Sequence, residues 1–253
     1  MKIKSEQILK RKFKSLLYRI INYMDNNNCA DSSINGEKEF VRFICNTESE
    51  PLCFFDIGAN KGYFTDMILG EMNGQERKFQ IHMFEPMPET SQLLKTKYKS
   101  FGNVFVNGLG VSDSNEVKKI YFDSGTSTHA SIYNRTNVKL ENSCDVRLIR
   151  LEDYIKSNNI KRINFIKIDV EGHEYSCLKG LGDYLKTSLI SYIQFEYGGT
   201  YIDSQRSLKN IYDILGNNWK VCKLMKHHLE AREYNYLMDN YSYANYIAVN
   251  LLK

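Results

Sequence analysis

The sequence predicts an α/β fold: a mostly parallel, doubly wound sheet, closed by an antiparallel hairpin and preceded by an added helix. Three observations predict it. The run Phe54-Phe55-Asp56-Ile57-Gly58-Ala59-Asn60-Lys61-Gly62-Tyr63-Phe64 reads as an apolar strand, a glycine turn and a helix start. A second strand, Ile81-His82-Met83-Phe84-Glu85-Pro86, ends on an acid. Apolar strands and helix-period segments then alternate, which is the pattern of successive βα units.

Taken in order, residues 5 to 27 read as a helix. Leu9, Phe13, Leu16, Leu17, Ile20, Ile21 and Met24 recur at helical spacing, and Lys2, Lys4, Lys10, Arg11, Lys12 and Lys14 make its start basic. It is expected to pack on the domain with its lysines in solvent; the rival reading is a membrane-surface or partner-binding helix. Residues 25 to 35 form a polar loop and 36 to 47 a short helix. Strand 52 to 57, helix 63 to 72, strand 79 to 85, helix 89 to 100 and strand 103 to 107 follow. Val117 to Phe122 and Val146 to Ile149 pair as a hairpin. Its loop, Asp123 to Ser131, is rich in small hydroxyl residues and holds His129, a second base candidate. Helix 151 to 157 leads to a strand at Ile163–Asp169, and another strand runs from Leu189 to Glu196. A helix at 204 to 215 precedes strands Trp219–Met225 and Asn245–Asn250. The division expected is a helical extension over 1–50 and one domain over 51–253, with an insertion at about 117–150.

The first turn carries chemistry. A dinucleotide fingerprint needs a second glycine so that the backbone can approach a pyrophosphate. Asn60 stands in that place, so a nucleoside ligand without phosphate fits better, and S-adenosylmethionine is such a ligand. Gly58 and Gly62 permit the turn, and Ala59, Asn60, Tyr63 and Phe64 flank the ligand. Backbone N–H groups of the turn and of the helix N-terminus are expected to meet its carboxylate, and Asp56 its ammonium. Glu85 follows Gly62 at roughly the 20-residue offset where an acid meets ribose hydroxyls, and Pro86 turns the chain outward. Ser112 or Asp113, in Asn107-Gly108-Leu109-Gly110-Val111-Ser112-Asp113, is placed to meet the adenine amine.

A second acidic cluster lies in Ile163-Asn164-Phe165-Ile166-Lys167-Ile168-Asp169-Val170-Glu171-Gly172-His173-Glu174. Lys167, Asp169 and Glu171 alternate and share one face of an extended chain. Glu196 ends the next strand. An alcohol must lose its proton to act as a nucleophile, so a base or a metal ion is required. His173 is the first base candidate, with Asp169 orienting it or taking the proton itself. Alternatively Asp169, Glu171 and Glu196 hold Mg²⁺, Mn²⁺ or Ca²⁺, which prefer oxygen ligands. The base reading is favoured, and no metal ligands are assigned. Glu174 is expected in solvent, and Lys167 as an ion-pair partner.

Asp56-Ile57-Gly58-Ala59-Asn60-Lys61-Gly62, Phe84-Glu85-Pro86 and Lys167-Ile168-Asp169-Val170-Glu171-Gly172-His173-Glu174 together resemble the FkbM family of methyltransferases. The resemblance spans roughly residues 52 to 200. It implies a Rossmann-like class I methyltransferase fold, S-adenosylmethionine as donor, and O-methylation of a sugar or polyketide hydroxyl. A sugar in a glycan or glycolipid is the acceptor expected. The rivals are an RNA methyltransferase, a catalytically silent scaffold subunit and, less favoured, an NAD-dependent oxidoreductase.

Bulk properties agree with this reading. Hydrophobic residues make up 42% of 253, enough for a core without disulfides or structural metal. The net charge of +4 comes without a concentrated basic block, so no nucleic-acid partner is expected. The six cysteines lack zinc or C-x-x-C spacing and are read as reduced thiols. No apolar run of about 18 residues occurs and no secretory signal is read, so a cytoplasmic protein is expected.

Overall fold

A computed structural model describes residues 8–123, 130–133, 135 and 139–253. Eleven strands and eight α-helices follow in the described chain. Helices α1 (Ile8–Met24) and α2 (Glu37–Thr47) come first. The units β1 (Leu52–Ile57), α3 (Tyr63–Met72), β2 (Phe79–Phe84), α4 (Pro88–Lys97) and β3 (Val104–Asn107) follow. Next are β4 (Gly110–Ser112), β5 (Glu116–Phe122), β6 (Asn142–Arg150), α5 (Leu151–Ser157), β7 (Ile163–Ile168) and α6 (Glu174–Lys179). The chain closes with β8 (Ile190–Tyr197), α7 (Thr200–Asp203), α8 (Leu208–Leu215), β9 (Trp219–Leu224), β10 (Leu229–Ala231) and β11 (Ala244–Asn250).

Eight strands form one sheet in the order β10-β9-β11-β8-β7-β1-β2-β3. Strand β1 pairs in parallel with β2 on one side and β7 on the other. Chain direction across the sheet therefore reverses beside β1, and the crevice at the carboxyl ends of β1, β2 and β7 is the place such sheets bind ligands. Every residue of β1 is buried, as a strand covered on both faces requires. Alternate side chains serve opposite layers. Cys53, Phe55 and Ile57 join Leu151, Ile155, Leu178, Leu208 and Ile211 from α5, α6 and α8. Leu52 and Phe54 join Phe40, Ile44, Phe64, Ile68 and Leu94 from α2, α3 and α4. This is the doubly wound α/β architecture read from the sequence.

The closing antiparallel pair is present, with one refinement. Strand β11 inserts between β8 and β9 and is antiparallel to both, and β10 adds an edge. The expected hairpin is β5–β6, and β4 joins β6 in parallel to make a separate three-stranded sheet. Residues 108 to 113 are thus not a simple glycine loop, because Gly110–Ser112 is a strand. Of the hydroxyl-rich loop Asp123 to Ser131, residues 124–129, His129 among them, lie outside the described residues.

The N-terminal helix departs most from expectation. None of the residues of α1 is buried, so it does not pack on the domain. Its end is instead clamped. Asn26 Nδ2 donates to the carbonyls of Asn35 (2.7 Å) and Leu224 (2.9 Å), and Arg232 pairs with Asp25 at 3.1 Å. Helix α2, by contrast, belongs to the core through Phe40, Val41, Ile44 and Cys45. The six cysteines are all free thiols.

Candidate active site

The turn after β1 is bound to the end of β2. The N–H groups of Gly58 and Ala59 both donate to the Phe84 carbonyl, at 3.0 and 3.1 Å. Gly62 N–H donates to Ala59, and Asn60 N–H donates to Glu85 Oε2 at 2.8 Å. Four turn donors are therefore already committed, which leaves the N–H groups at the start of α3 as the remaining part of the row expected to meet a ligand carboxylate. Gly58 has φ +80°, and a Cβ there would fall 1.8 Å from the Asp169 carbonyl oxygen. The glycine lets β1 and β7 finish almost in contact. Asn60 takes the left-handed conformation (φ 44°), which asparagine tolerates better than most residues.

Glu85 is 5% exposed. Each of its oxygens takes a backbone N–H, from Asn60 and from Met87 (2.9 Å). Burial pushes its pKa up to about 7, against those two donors. Asp56 is buried and accepts from Thr65 Oγ1 at 2.7 Å. Burial raises it to about 6, opposed by the Lys167 ammonium and Thr65.

At the end of β7, Lys167 Nζ donates to Asp169 Oδ2 at 2.9 Å and lies 4.0 Å from Glu37 Oε1. Burial alone would raise Asp169, but Lys167 outweighs it and the pKa falls below the usual carboxylate range. Glu196 also hydrogen-bonds to Asp169. Burial first, then the neighbouring carboxylates, push the Glu196 pKa up. The two shifts run in opposite directions, and Lys167, 2.9 Å away, favours the charged form of Asp169.

Three expectations are corrected here. His173 is 3% exposed; Ser112 Oγ lies 3.0 Å from Nε2 and the Tyr133 hydroxyl 2.9 Å from Nδ1. Burial lowers its pKa to about 4. Both ring nitrogens are engaged by neighbouring hydroxyls, which leaves neither free to face an acceptor hydroxyl. Glu174 is buried rather than solvated; its Oε1 accepts the N–H groups of Val170 and Gly172 at 3.2 Å each, closing the loop before α6. Asp169, Glu171 and Glu196 do not make a metal trio. Glu171 turns away at φ 55° to pair with Arg135 at 2.8 Å. Among the described residues no three His, Cys, Asp or Glu side chains stand close enough to hold a metal ion.

A cavity of about 480 Å³ unites these groups. Asp56, Gly58, Ala59, Asn60, Tyr63 and Phe64 line it from the first turn, and Glu85 and Pro86 from the second strand. Asp169, Glu171, His173 and Glu196 line the far side. Gly62, Ser112 and Asp113 do not. Gly62 packs on Tyr98, whose hydroxyl donates to the Gly62 carbonyl at 2.9 Å. Ser112 is fully buried against His173, and Asp113 pairs with Lys179 at 2.8 Å. The apolar end of the cavity is walled by Gly110, Val111, Ile120, Val146 and Leu148. Gly110 and Val111 belong to the segment expected to meet the ligand, whereas Ile120, Val146 and Leu148 are not expected from the sequence. The alternation of Cys144, Val146 and Leu148 was the available signal. Ala30, Glu37 and Tyr243 border the site from distant segments with no local signal at all.

These carboxyls set a pH dependence. Burial raises Glu171 to about 7 and Glu174 to about 8, and Glu85 stands at about 7. Each folded value exceeds the unfolded one, so the folded state binds the extra protons and stability falls as pH rises. His82 and His173, lowered to about 4, are part-protonated only in the unfolded state near pH 6.5; they oppose the trend by roughly 0.4 kcal/mol each, less than the carboxyls contribute. The unliganded protein is expected to lose on the order of 2 kcal/mol between about pH 6.5 and 8. Thermal melts at the two pH values check this; a higher Tm at the alkaline end contradicts it.

A doubly wound sheet with a glycine turn and acids gathered at the switch point defines the Rossmann-like fold of class I methyltransferases. The chain belongs to the family of the methyltransferase FkbM domain, whose sequence pattern matches residues 56–238. It is 26% identical over 159 residues to the hexuronic acid methyltransferase AglP of Haloferax volcanii, covering 61% of this chain and 60% of that protein. The chain thus spans less than two thirds of that relative. Among solved structures, it is similar to the methyltransferase FkbM of Methylobacillus flagellatus (15% identity, TM-score 0.46, 92% of this chain and 60% of that one). It is also similar to fibrillarin of Aeropyrum pernix, solved with S-adenosyl-L-methionine (11% identity, TM-score 0.41, 84% and 74%).

Proposed function

We propose that the protein is an S-adenosylmethionine-dependent O-methyltransferase acting on a sugar hydroxyl. The observation that carries this reading is the single cavity that joins an apolar slot, the Glu85 carboxyl and the Asp169–Glu196 pair. The residues fit the donor. The slot of Val111, Ile120 and Leu148 suits adenine, and Glu85 retains lone pairs for a ribose diol beside its two backbone donors. Asp56 and the Tyr63–Phe64 corner suit the amino-acid end. When bound, S-adenosylmethionine supplies a methyl group already activated by its sulfonium.

The chain's own residues do the rest. Asp169 accepts the hydroxyl proton of the acceptor. Lys167 keeps Asp169 ionised, and Glu196, protonated, holds the carboxylate in place by a hydrogen bond. The acceptor enters through an adjoining cavity of about 790 Å³ that meets the first at Lys167, Asp169 and Tyr243. Asp31, Ser32, Ser33, Glu37 and Lys38 line it, and such a set of donors and acceptors suits a polyhydroxylated ring. The hexuronic acid named for the Haloferax relative supports a sugar as the acceptor class.

Calorimetry tests the donor assignment. S-adenosylhomocysteine is expected to bind the parent protein and NAD not to bind. Glu85→Ala is expected to weaken S-adenosylhomocysteine by roughly 10- to 100-fold, the loss of a charged hydrogen-bond acceptor. NAD binding without S-adenosylhomocysteine binding overturns the proposal. Transfer of label from S-adenosylmethionine to a panel of hexuronic acid and hexose glycans then identifies the acceptor.

A further inference from the structure

We propose that α1 is an interfacial helix that docks this protein onto an anionic lipid bilayer. Its apolar side chains are left in solvent: Leu9 is 80% exposed, Phe13 61%, Leu16 52% and Met24 69%. At 100° per residue, Leu9, Phe13, Leu16, Leu17, Ile20 and Met24 fall on one face of the helix. Lys10 and Lys14 border that face on one side, and Lys12 and Arg19 on the other. With Arg11 the helix carries five cations and no acid. An apolar stripe framed by Lys and Arg is the arrangement that lies in the headgroup plane, with rings and aliphatic chains below and cations level with lipid phosphates.

Charge selects the occupant. Burying the stripe against a second copy of α1 would bring together two helices whose described residues carry Lys10, Arg11, Lys12 and Arg19 and no acid. Anionic headgroups supply the opposite charge. Among the described residues no helix is long and apolar enough to cross a membrane.

The body is held to the helix by a short, bonded segment. Lys223 Nζ donates to Asn27 Oδ1 at 2.6 Å, and Asn28 N–H donates to the Tyr243 carbonyl at 2.8 Å. Ala30, six residues past Met24, lines the cavity. Docking therefore brings the catalytic cleft to within roughly 20 Å of chain from the bilayer plane. The docking proposal stands whether or not the acceptor is a sugar, and its test reads binding alone.

The test is flotation of the full chain with vesicles of phosphatidylcholine, with and without phosphatidylglycerol. Flotation with the anionic vesicles is expected, and loss in about 0.5 M salt. Lys10→Ala with Lys14→Ala is expected to weaken binding by roughly 30-fold, about fivefold per cation. Phe13→Asp with Leu17→Asp, at exposed positions outside the site, is expected to abolish flotation while leaving the melting curve unchanged. Three results overturn the proposal. One is no flotation, or equal flotation on phosphatidylcholine alone. Another is binding that survives Phe13→Asp with Leu17→Asp. The third is a dimer, seen by analytical ultracentrifugation without vesicles, that the same double substitution dissociates.

Discussion

Asp169→Asn is expected to lower kcat by about 10²- to 10⁴-fold, the range for losing a positioned proton acceptor. Asparagine keeps the shape of the side chain but cannot take a proton. It also leaves Lys167 without the anion 2.9 Å away, and Glu196 without the carboxylate it donates to. S-adenosylhomocysteine affinity is expected to change far less, because Glu85 and the first turn are untouched. His173→Asn supplies the contrast. It is expected to cost stability, since Ser112 and Tyr133 lose their partner, while kcat stays within roughly an order of magnitude of the parent. Steady-state kinetics of the two variants decide the matter. A fully active Asp169→Asn protein, or an inactive His173→Asn protein that still folds and binds S-adenosylhomocysteine, reverses the roles assigned here.

Gly58→Ala is expected to be the most damaging single methyl group in the chain. Its Cβ would lie 1.8 Å from a backbone oxygen, not from the end of a side chain that can swing away. Relief requires the turn after β1 to separate from the end of β7. That movement strains the bonds from Gly58 and Ala59 to Phe84, the bond from Asp169 N–H to Ile57 (3.0 Å) and the bond from Asn60 to Glu85. The left-handed φ adds about 1–2 kcal/mol, and the overlap about 1–3 kcal/mol. A loss of roughly 3 kcal/mol or more is expected, with no measurable S-adenosylhomocysteine binding. A melt within a degree or two of the parent, with binding intact, contradicts the contact described. Gly74→Ala provides a control: φ is also positive there, but nothing lies within 4 Å of the new Cβ.

Much of this architecture was legible in the residues. Leu52–Ile57 and Ile163–Ile168 are near-continuous apolar runs, and only strands buried on both faces read that way. The glycine turn and the acid after β2 lie close in sequence and report one pocket, so local pattern was sufficient for them. Local pattern failed where the partner is distant. Glu174 looks like a solvated helix residue until Val170 and Gly172 are seen to donate to it. His173 looks like a base until Ser112, 61 residues earlier, and Tyr133 occupy its ring. Ser112 and Asp113 mislead because Gly110–Ser112 looks like a glycine loop and is instead the short strand β4. The N-terminal helix misled in the opposite sense. Its stripe predicts burial somewhere, but periodicity carries no information about which surface covers it.

Strand β11 bears on how the chain is made. It is the last strand in sequence, yet it sits inside the sheet, between β8 and β9. On the ribosome, both of those strands carry bare hydrogen-bonding edges until Ala244–Asn250 has emerged. A nascent chain stalled at the end of the family match, residue 238, would hold the donor-binding half while its sheet stays split. Such a chain is a natural client for chaperones that recognise unpaired strands, and release depends on the final seven-residue strand closing the gap.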